Sequence, residues 1–378
     1  MEAAIILAIE SMTAGNPHLA KRAKELGYQL RMVTEDASIY NDLENLEVVE
    51  LPTRSYAALQ DYVAQHRQEI AAIFSPTDTW GVDAAKLRDE FGFESRYTAQ
   101  ELAQFRDKSW VRETLTAGKD QASTYPRILK PRNGTGSMGI RVVNTPGELE
   151  AAAAEMKDTE FVDEPYYQGP LYSAEMYSDG ARVEFFGVTN RILTSPPVFL
   201  ERVKTFPHEY GSKWEKRVCE WATETLGILG YNAGFAHLEF IETADGFELV
   251  ELNARMAGSL ITPAVEACTN YNPYAMVIDD ALGRDIEVPA QREVYGGHSH
   301  VSIYADHVGT LREVTGTSAL PAFPGSPKWV PAKEAGAEIT ELGTYRCRIG
   351  NVFATADSPG LAQDRAIAAA QAIGVLIE

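Results

Sequence analysis

The sequence predicts an α/β protein: an N-terminal open parallel α/β domain, a central α+β region made of lobes, and a strand-rich C-terminal lobe. Three observations carry this. Residues 1–100 alternate short apolar runs with amphipathic segments; from Tyr125 strand-like runs follow one another with one helix among them; from Arg292 the chain is again rich in strands. A chain of 378 residues is long for a single core. It divides as 1–105, 106–290 with a small lobe at about 122–188, and 291–378.

The first part runs AAIILAI, a helix from about Pro17 that ends at Gly27, YQLRMVT, LEVVEL, a helical stretch from Tyr56, and IAAIFS. This βαβ rhythm belongs to a sheet with helices on both faces, whose ligands sit beyond the carboxyl ends of the strands. Those ends are Glu10-Ser11-Met12-Thr13 and Ser75-Pro76-Thr77-Asp78-Thr79-Trp80, which either touch a substrate or are plain turns. No glycine-rich fingerprint follows the first strand, which argues against a dinucleotide-binding domain.

The second part reads as the strands YPRILKP, GIRVV, FVDEPY, LYSAEMYS and ARVEFFGV, with a helix at about Pro146 to Lys157. A helix from about Ser212 to Leu229 leads to the strand pair AHLEFI and FELVEL and to a helix from about Pro263. A helix from Gly360 to Ile373 closes the last lobe.

With 54 acidic against 34 basic residues the net charge is −20, so a nucleic-acid partner is not expected. Cys219, Cys268 and Cys347 are odd in number and widely spaced, which indicates neither a disulfide framework nor a zinc knuckle. They read as buried thiols of a cytoplasmic protein. No run approaches about 18 apolar residues, so no membrane span is expected.

RNGTGSMGI contains Gly134, Gly136 and Gly139. A Rossmann loop would open a helix, but the following IRVV is β-branched; a Walker loop would continue with Lys and Ser or Thr. A strand, glycine loop and strand remain, either an ordinary hairpin or a cover for phosphates with Lys130 beside it. In FELVELNARMAGS, Ala244-Asp245-Gly246 reads as a three-residue hairpin loop that sets Thr243 against Phe247. Counting back places Glu239 opposite Glu251 and His237 opposite Asn253, while Leu238, Phe240, Val250 and Leu252 fill the other face. Facing carboxylates repel, and a divalent cation removes the conflict. Two carboxylates and an amide oxygen are hard ligands that suit magnesium, and Arg255 then suits an anion.

These segments, with RDKSWVRETL ahead of them and FVDEPYYQGPLYSAEMYSDG between, occur in the order of the ATP-grasp superfamily, and the chain resembles its carboxylate-amine ligase branch, which includes the L-amino acid ligases. The resemblance covers nearly the whole chain and implies an ATP-grasp fold. It also implies formation of an amide bond through an acyl phosphate, with ADP released and with ATP and magnesium or manganese as cofactors. Lys108, Lys130 and the loop Gly134, Thr135, Gly136, Ser137, Met138 and Gly139 would hold the nucleotide phosphates, and Glu164 would meet the adenine or ribose. Glu239, Glu251 and Asn253 would hold metal; Arg255, with Lys130, would act in catalysis, and Arg255, Gly258 and Ser259 would meet the substrate. Two features depart from the pattern: Leu171 where relatives carry a glutamate, and Pro165 in the hinge. The implied partners are a small carboxylate and an amine, and a second copy in a homodimer. Relatives that activate bicarbonate or a purine intermediate, and a nucleotide sensor without turnover, are the alternatives. His298 and His300 lack a third ligand and read as packed or solvated. Arg346 and Arg348 are substrate anchors or surface charges.

Overall fold

A computed structural model of the chain describes residues 4–12, 14–40, 42–43, 46–117, 124–134, 136 and 138–378. The N-terminal part is a parallel sheet of β1 (Ile5–Ile9), β2 (Gln29–Thr34), β3 (Glu47–Glu50) and β4 (Ile70–Phe74), in the order β3-β2-β1-β4. All five residues of β1 are buried, as expected of a parallel strand covered on both faces. Its helices are α1 (Asn16–Glu25), α2 (Tyr56–His66) and α3 (Asp78–Phe91). The last was not legible as a helix: the segment from Ser75 is a turn only as far as Thr77, and α3 then runs to Gly92, whose left-handed φ of 69° ends it.

Next come α4 (Ala99–Arg106), begun by a reciprocal Thr98–Glu101 capping box, and α5 (Lys108–Leu115), capped by the Asp107 carboxylate. A small antiparallel sheet, ordered β6-β5-β7, is built from β5 (Arg127–Pro131), β6 (Arg141–Val143) and β7 (Phe161–Pro165), with α6 (Pro146–Glu155) beside it.

The remaining strands of the central part are β8 (Leu171–Asp179), β9 (Val183–Leu193), β10 (Glu201–Phe206), β11 (Ala233–Thr243) and β12 (Gly246–Asn253), with helices α7 (Lys213–Leu229), α8 (Ile261–Cys268) and α9 (Pro273–Ala281). The C-terminal part adds β13 (Gly297–Tyr304), β14 (Gly309–Thr315), β15 (Lys328–Pro331), β16 (Glu338–Ile339), β17 (Arg348–Ala356), α10 (Pro359–Ala370) and β18 (Gly374–Ile377). One eight-stranded sheet, ordered β12-β11-β8-β9-β10-β13-β17-β15, joins the two parts through antiparallel pairing of β10 with β13. Sequence analysis did not identify β10.

One face of this sheet packs on α7: Leu238, Phe240, Leu249 and Leu252 meet Val218, Ala222 and Leu226. Because Phe240 is fully buried there, Phe240→Ala should cost about 3–5 kcal/mol, read as a lowered midpoint in a denaturant titration.

The β11–β12 hairpin corrects two details of the sequence reading. Its loop has two residues, Ala244 and Asp245, since Gly246 pairs with Thr243 and Phe247 with Glu242. That one-residue difference would have parted the glutamates, but a bulge at Val250 restores the register: Phe240 faces Leu249, while Glu239 faces Glu251 and His237 faces Asn253. Leu249 therefore enters the core and Val250 turns out toward a cavity.

Candidate functional site

The bulge makes the site possible, because it leaves both glutamates on the sheet face opposite α7. Each is matched to a cation from elsewhere. Lys108, in the first turn of α5, places Nζ 2.7 Å from Glu251 Oε1 and also donates to the carbonyl of Gly134 at 2.6 Å. Arg191 on β9 places Nη1 2.6 Å from Glu239 Oε1. Burial raises the Glu251 pKa, with the Glu239 charge adding to it and Lys108 opposing it. Burial works against the Glu239 charge too, but Arg191 and His237 outweigh it and hold that carboxyl well below the usual range.

His237 stands behind Glu239, its Nε2 3.3 Å from Glu239 Oε1 and its Nδ1 2.7 Å from the buried Glu175. Asn253 is buried; its Oδ1 accepts from Arg255 Nη2 at 3.3 Å, and its Nδ2 makes no hydrogen bond. Arg255 is gripped by Asp78 of α3, with Nε at 2.6 Å and Nη2 at 2.5 Å. Among the described residues no three histidine, cysteine or acidic side chains form a metal cage. The donor set is instead an open one, two facing carboxylates and an amide oxygen, which fits a hard cation whose other ligands are water or phosphate.

Lys130 and Glu164 are buried partners on β5 and β7, with Nζ 2.8 Å from Oε2; Lys130 also donates to the Val250 carbonyl at 3.1 Å, and Arg112 Nη2 lies 3.2 Å from the same Glu164 oxygen. Burial opposes the Glu164 charge, yet Lys130 and Arg112 keep its pKa down; burial likewise pushes the Lys130 pKa down. Of the glycine loop, Gly134 and Gly139 pack on Pro131, and Gly136 lies against the Tyr345 ring of the C-terminal part. Thr135 and Ser137 lie outside the described residues, and Met138 is half-buried. Gly258 adjoins the Arg255 guanidinium, and Ser259 Oγ lies 3.3 Å from His300 Nε2.

These groups surround a cavity of about 500 Å³. One end is apolar, with Ile128, Ile140, Leu171, Leu193 and Phe199; the other reaches Glu239, Glu251, Arg191 and Arg348. Sequence reasoning missed Arg191, Arg112, Asp78 and Glu201, whose partners are distant in the chain: the Asp78–Arg255 pair spans 177 residues. Of the two arginines left open, Arg348 lines the cavity, while Arg346 is exposed and paired with Glu341 at 3.2 Å. His298 and His300 are packed inside. Of the N-terminal strand ends, Asp78 joins the site through Arg255. Glu10 is turned inward, accepting from Thr34 Oγ1 at 2.8 Å, Glu35 N at 2.9 Å and the Tyr40 hydroxyl at 2.5 Å. Thr13 lies outside the described residues.

Residues 123–263 match the ATP-grasp domain family, and residues 301–378 match L-amino acid ligase C-terminal domain 2. The chain is 25% identical over 388 aligned positions to the uncharacterized protein y4rH of Sinorhizobium fredii, covering 95% of this chain and 80% of the relative. Among solved structures, the L-amino acid ligase of Bacillus licheniformis superposes with a TM-score of 0.83 at 19% identity, each chain covered fully. The biotin carboxylase domain of the Hydrogenobacter thermophilus 2-oxoglutarate carboxylase, solved with MgADP and bicarbonate, superposes with a TM-score of 0.77 at 18% identity, covering 100% of this chain and 91% of that one. The fold is therefore the ATP-grasp fold. No helix among the described residues is long and apolar enough to cross a membrane.

Proposed function

From the premise that the chain carries an ATP-grasp domain followed by a C-terminal domain of the L-amino acid ligase type, we propose that it is an ATP-dependent carboxylate-amine ligase. A substrate carboxylate attacks the γ-phosphorus of ATP, giving ADP and an acyl phosphate; an amine then attacks the acyl carbon and expels phosphate. The observation that carries this reading is the convergence of Glu239, Glu251, Asn253 and Arg255 on one end of a cavity whose other end is apolar and roomy enough for a nucleobase.

Glu239, Glu251 and Asn253 would hold magnesium, which supplies charge neutralisation at the transferring phosphoryl group. Lys108, on Glu251, and Lys130, on Glu164, are buried cations placed to turn toward phosphate oxygens. Arg255, fixed by Asp78, presents its guanidinium beside Asn253, where it would orient the acyl phosphate. The glycine loop, resting on Tyr345, would exclude water from an intermediate that hydrolyses readily. No side-chain nucleophile is required, and catalysis is positioning and electrostatics. The parts 1–105, 106–290 and 291–378 each supply walls of the site, and the working form is a homodimer in the cytoplasm.

The test is phosphate release from Mg-ATP across a matrix of acids and amines, with the products weighed by mass spectrometry. Release that needs one acid and one amine and yields ADP supports the ligase; binding of ATP without turnover by any pair counts against it. Gly136→Ala gives a sharper check, since a Cβ there would lie 2.6 Å from Tyr345 Cδ1 on a backbone with φ of 64°. The variant should raise the KM for ATP roughly tenfold.

A further inference from the structure

The sheet face that carries Glu251 and Glu239 changes character toward its middle. Arg191 on β9 and Lys204 on β10 are cross-strand partners, and His300 on β13 flanks Lys204 on the other side. Arg348 enters from β17, and the cavity that reaches the two glutamates also reaches Arg191, Glu201, Arg348 and Tyr304. Arg191 is 8% exposed and Lys204 2%.

Two carboxylates serve these three cations. Glu201 is paired with Arg191 and lies 2.7 Å from Lys204 Nζ; Glu239 is paired with Arg191. The contacts are ion pairs without complete hydrogen bonding: Lys204 Nζ, Arg191 Nε and Nη1, and Arg348 Nε are buried with no hydrogen-bond partner. His300 adds no charge, because burial and the neighbouring cations keep it neutral. If Glu239 is engaged by a metal, as the ligase reading requires, Glu201 alone faces Arg191, Lys204 and Arg348. Buried donors of this kind are costly unless an acceptor meets them.

We propose that this basic end is a subsite for a carboxylate that one of the two joined substrates carries in addition to its reacting group, and that is retained in the product. The inference rests on the ligase reading and names its substrate class: a dicarboxylic acid as donor, or an amino acid that keeps its own carboxylate as acceptor. No bond forms at the subsite; it binds and orients. Burial, with Arg191 and Arg348 beside it, pushes the Lys204 pKa far down, a condition that a bound anion relieves.

The experiment compares succinate with its monoamide as donor, and glycine with glycinamide as acceptor, each in Mg-ATP with the other substrate held constant. For the native enzyme, amidating the retained carboxylate should lower kcat/KM at least about 30-fold in one of the two series, and which series responds tells donor from acceptor. Lys204→Met, which keeps the stem and removes the charge, should raise the KM of the carboxylate substrate by a similar factor, leave kcat little changed and level the two analogues; Lys204→Arg should restore part of the difference. A purely structural lysine would not separate KM from kcat in this way. Equal turnover of amidated and free substrates by the native enzyme overturns the subsite while leaving the ligase intact. Release with no pair overturns the ligase reading, and calorimetric titration of the Mg-ADP-bound protein with succinate and with glycine then decides the subsite. Binding of either that is lost in Lys204→Met supports it, and absent or unchanged binding overturns it.

Discussion

Glu251→Gln is expected to lower phosphate release by at least about a thousandfold while leaving binding of ADP without metal close to native. The side chain keeps its shape and loses only its charge. Glu251 faces Glu239 across the hairpin and is held by Lys108 at 2.7 Å, so its carboxylate is one of two whose mutual repulsion a cation would relieve. Removing the charge removes that repulsion and also leaves Lys108 without its carboxylate. The two effects oppose one another, and the thermal midpoint should move little. Titration with Mg-ADP and with ADP alone checks the assignment: the native enzyme should bind the magnesium complex more tightly, and the variant should not distinguish the two. A variant that still turns over ATP within tenfold of native would remove Glu251 from the metal site.

The second large effect joins activity to stability. Arg255→Ala should abolish amide formation and also destabilise the protein by about 3–5 kcal/mol, because Asp78, only 10% exposed, would be left as an uncompensated buried carboxylate. The double variant Asp78→Ala with Arg255→Ala separates the roles. It should recover much of the stability, since no lone charge remains, and none of the activity. Urea melts and phosphate release on the three proteins supply the comparison. Activity recovered along with stability would make Arg255 a fastener between the N-terminal sheet and the hairpin rather than a group that meets the substrate.

How far the site could be read in advance follows from where its partners lie in the chain. Glu239 and Glu251 were legible because a hairpin brings near neighbours together and strand alternation puts them on one face. That prediction survived a wrong loop length because the bulge at Val250 compensated, and a bulge has no compositional signature. Asp78 was noticed at a strand end, yet its helix was not, since the polar start of α3 follows a turn directly and blurs the boundary. Arg191, Lys204 and Glu201 stayed hidden for a different reason. Strand β10 is polar at its outset, and its meaning arises only when β13, about a hundred residues on, pairs beside it. The parallel N-terminal sheet was the easiest part, because its buried strands are unbroken apolar runs.

The unbroken pairing from β12 to β15 gives the site a gauge. Glu239 on β11 and Lys204 on β10 are three strand spacings apart in one hydrogen-bonded sheet, roughly 14 Å between their backbones. Strand spacing is set by backbone hydrogen bonds and does not stretch to suit a longer molecule, so whatever lies across this floor is measured in fixed increments, and only side-chain length can trim them. A lineage or an engineer seeking a substrate one or two methylenes longer would then find the change on the floor itself, as an arginine shortened to lysine or a glutamate to aspartate, before finding it in the surrounding loops.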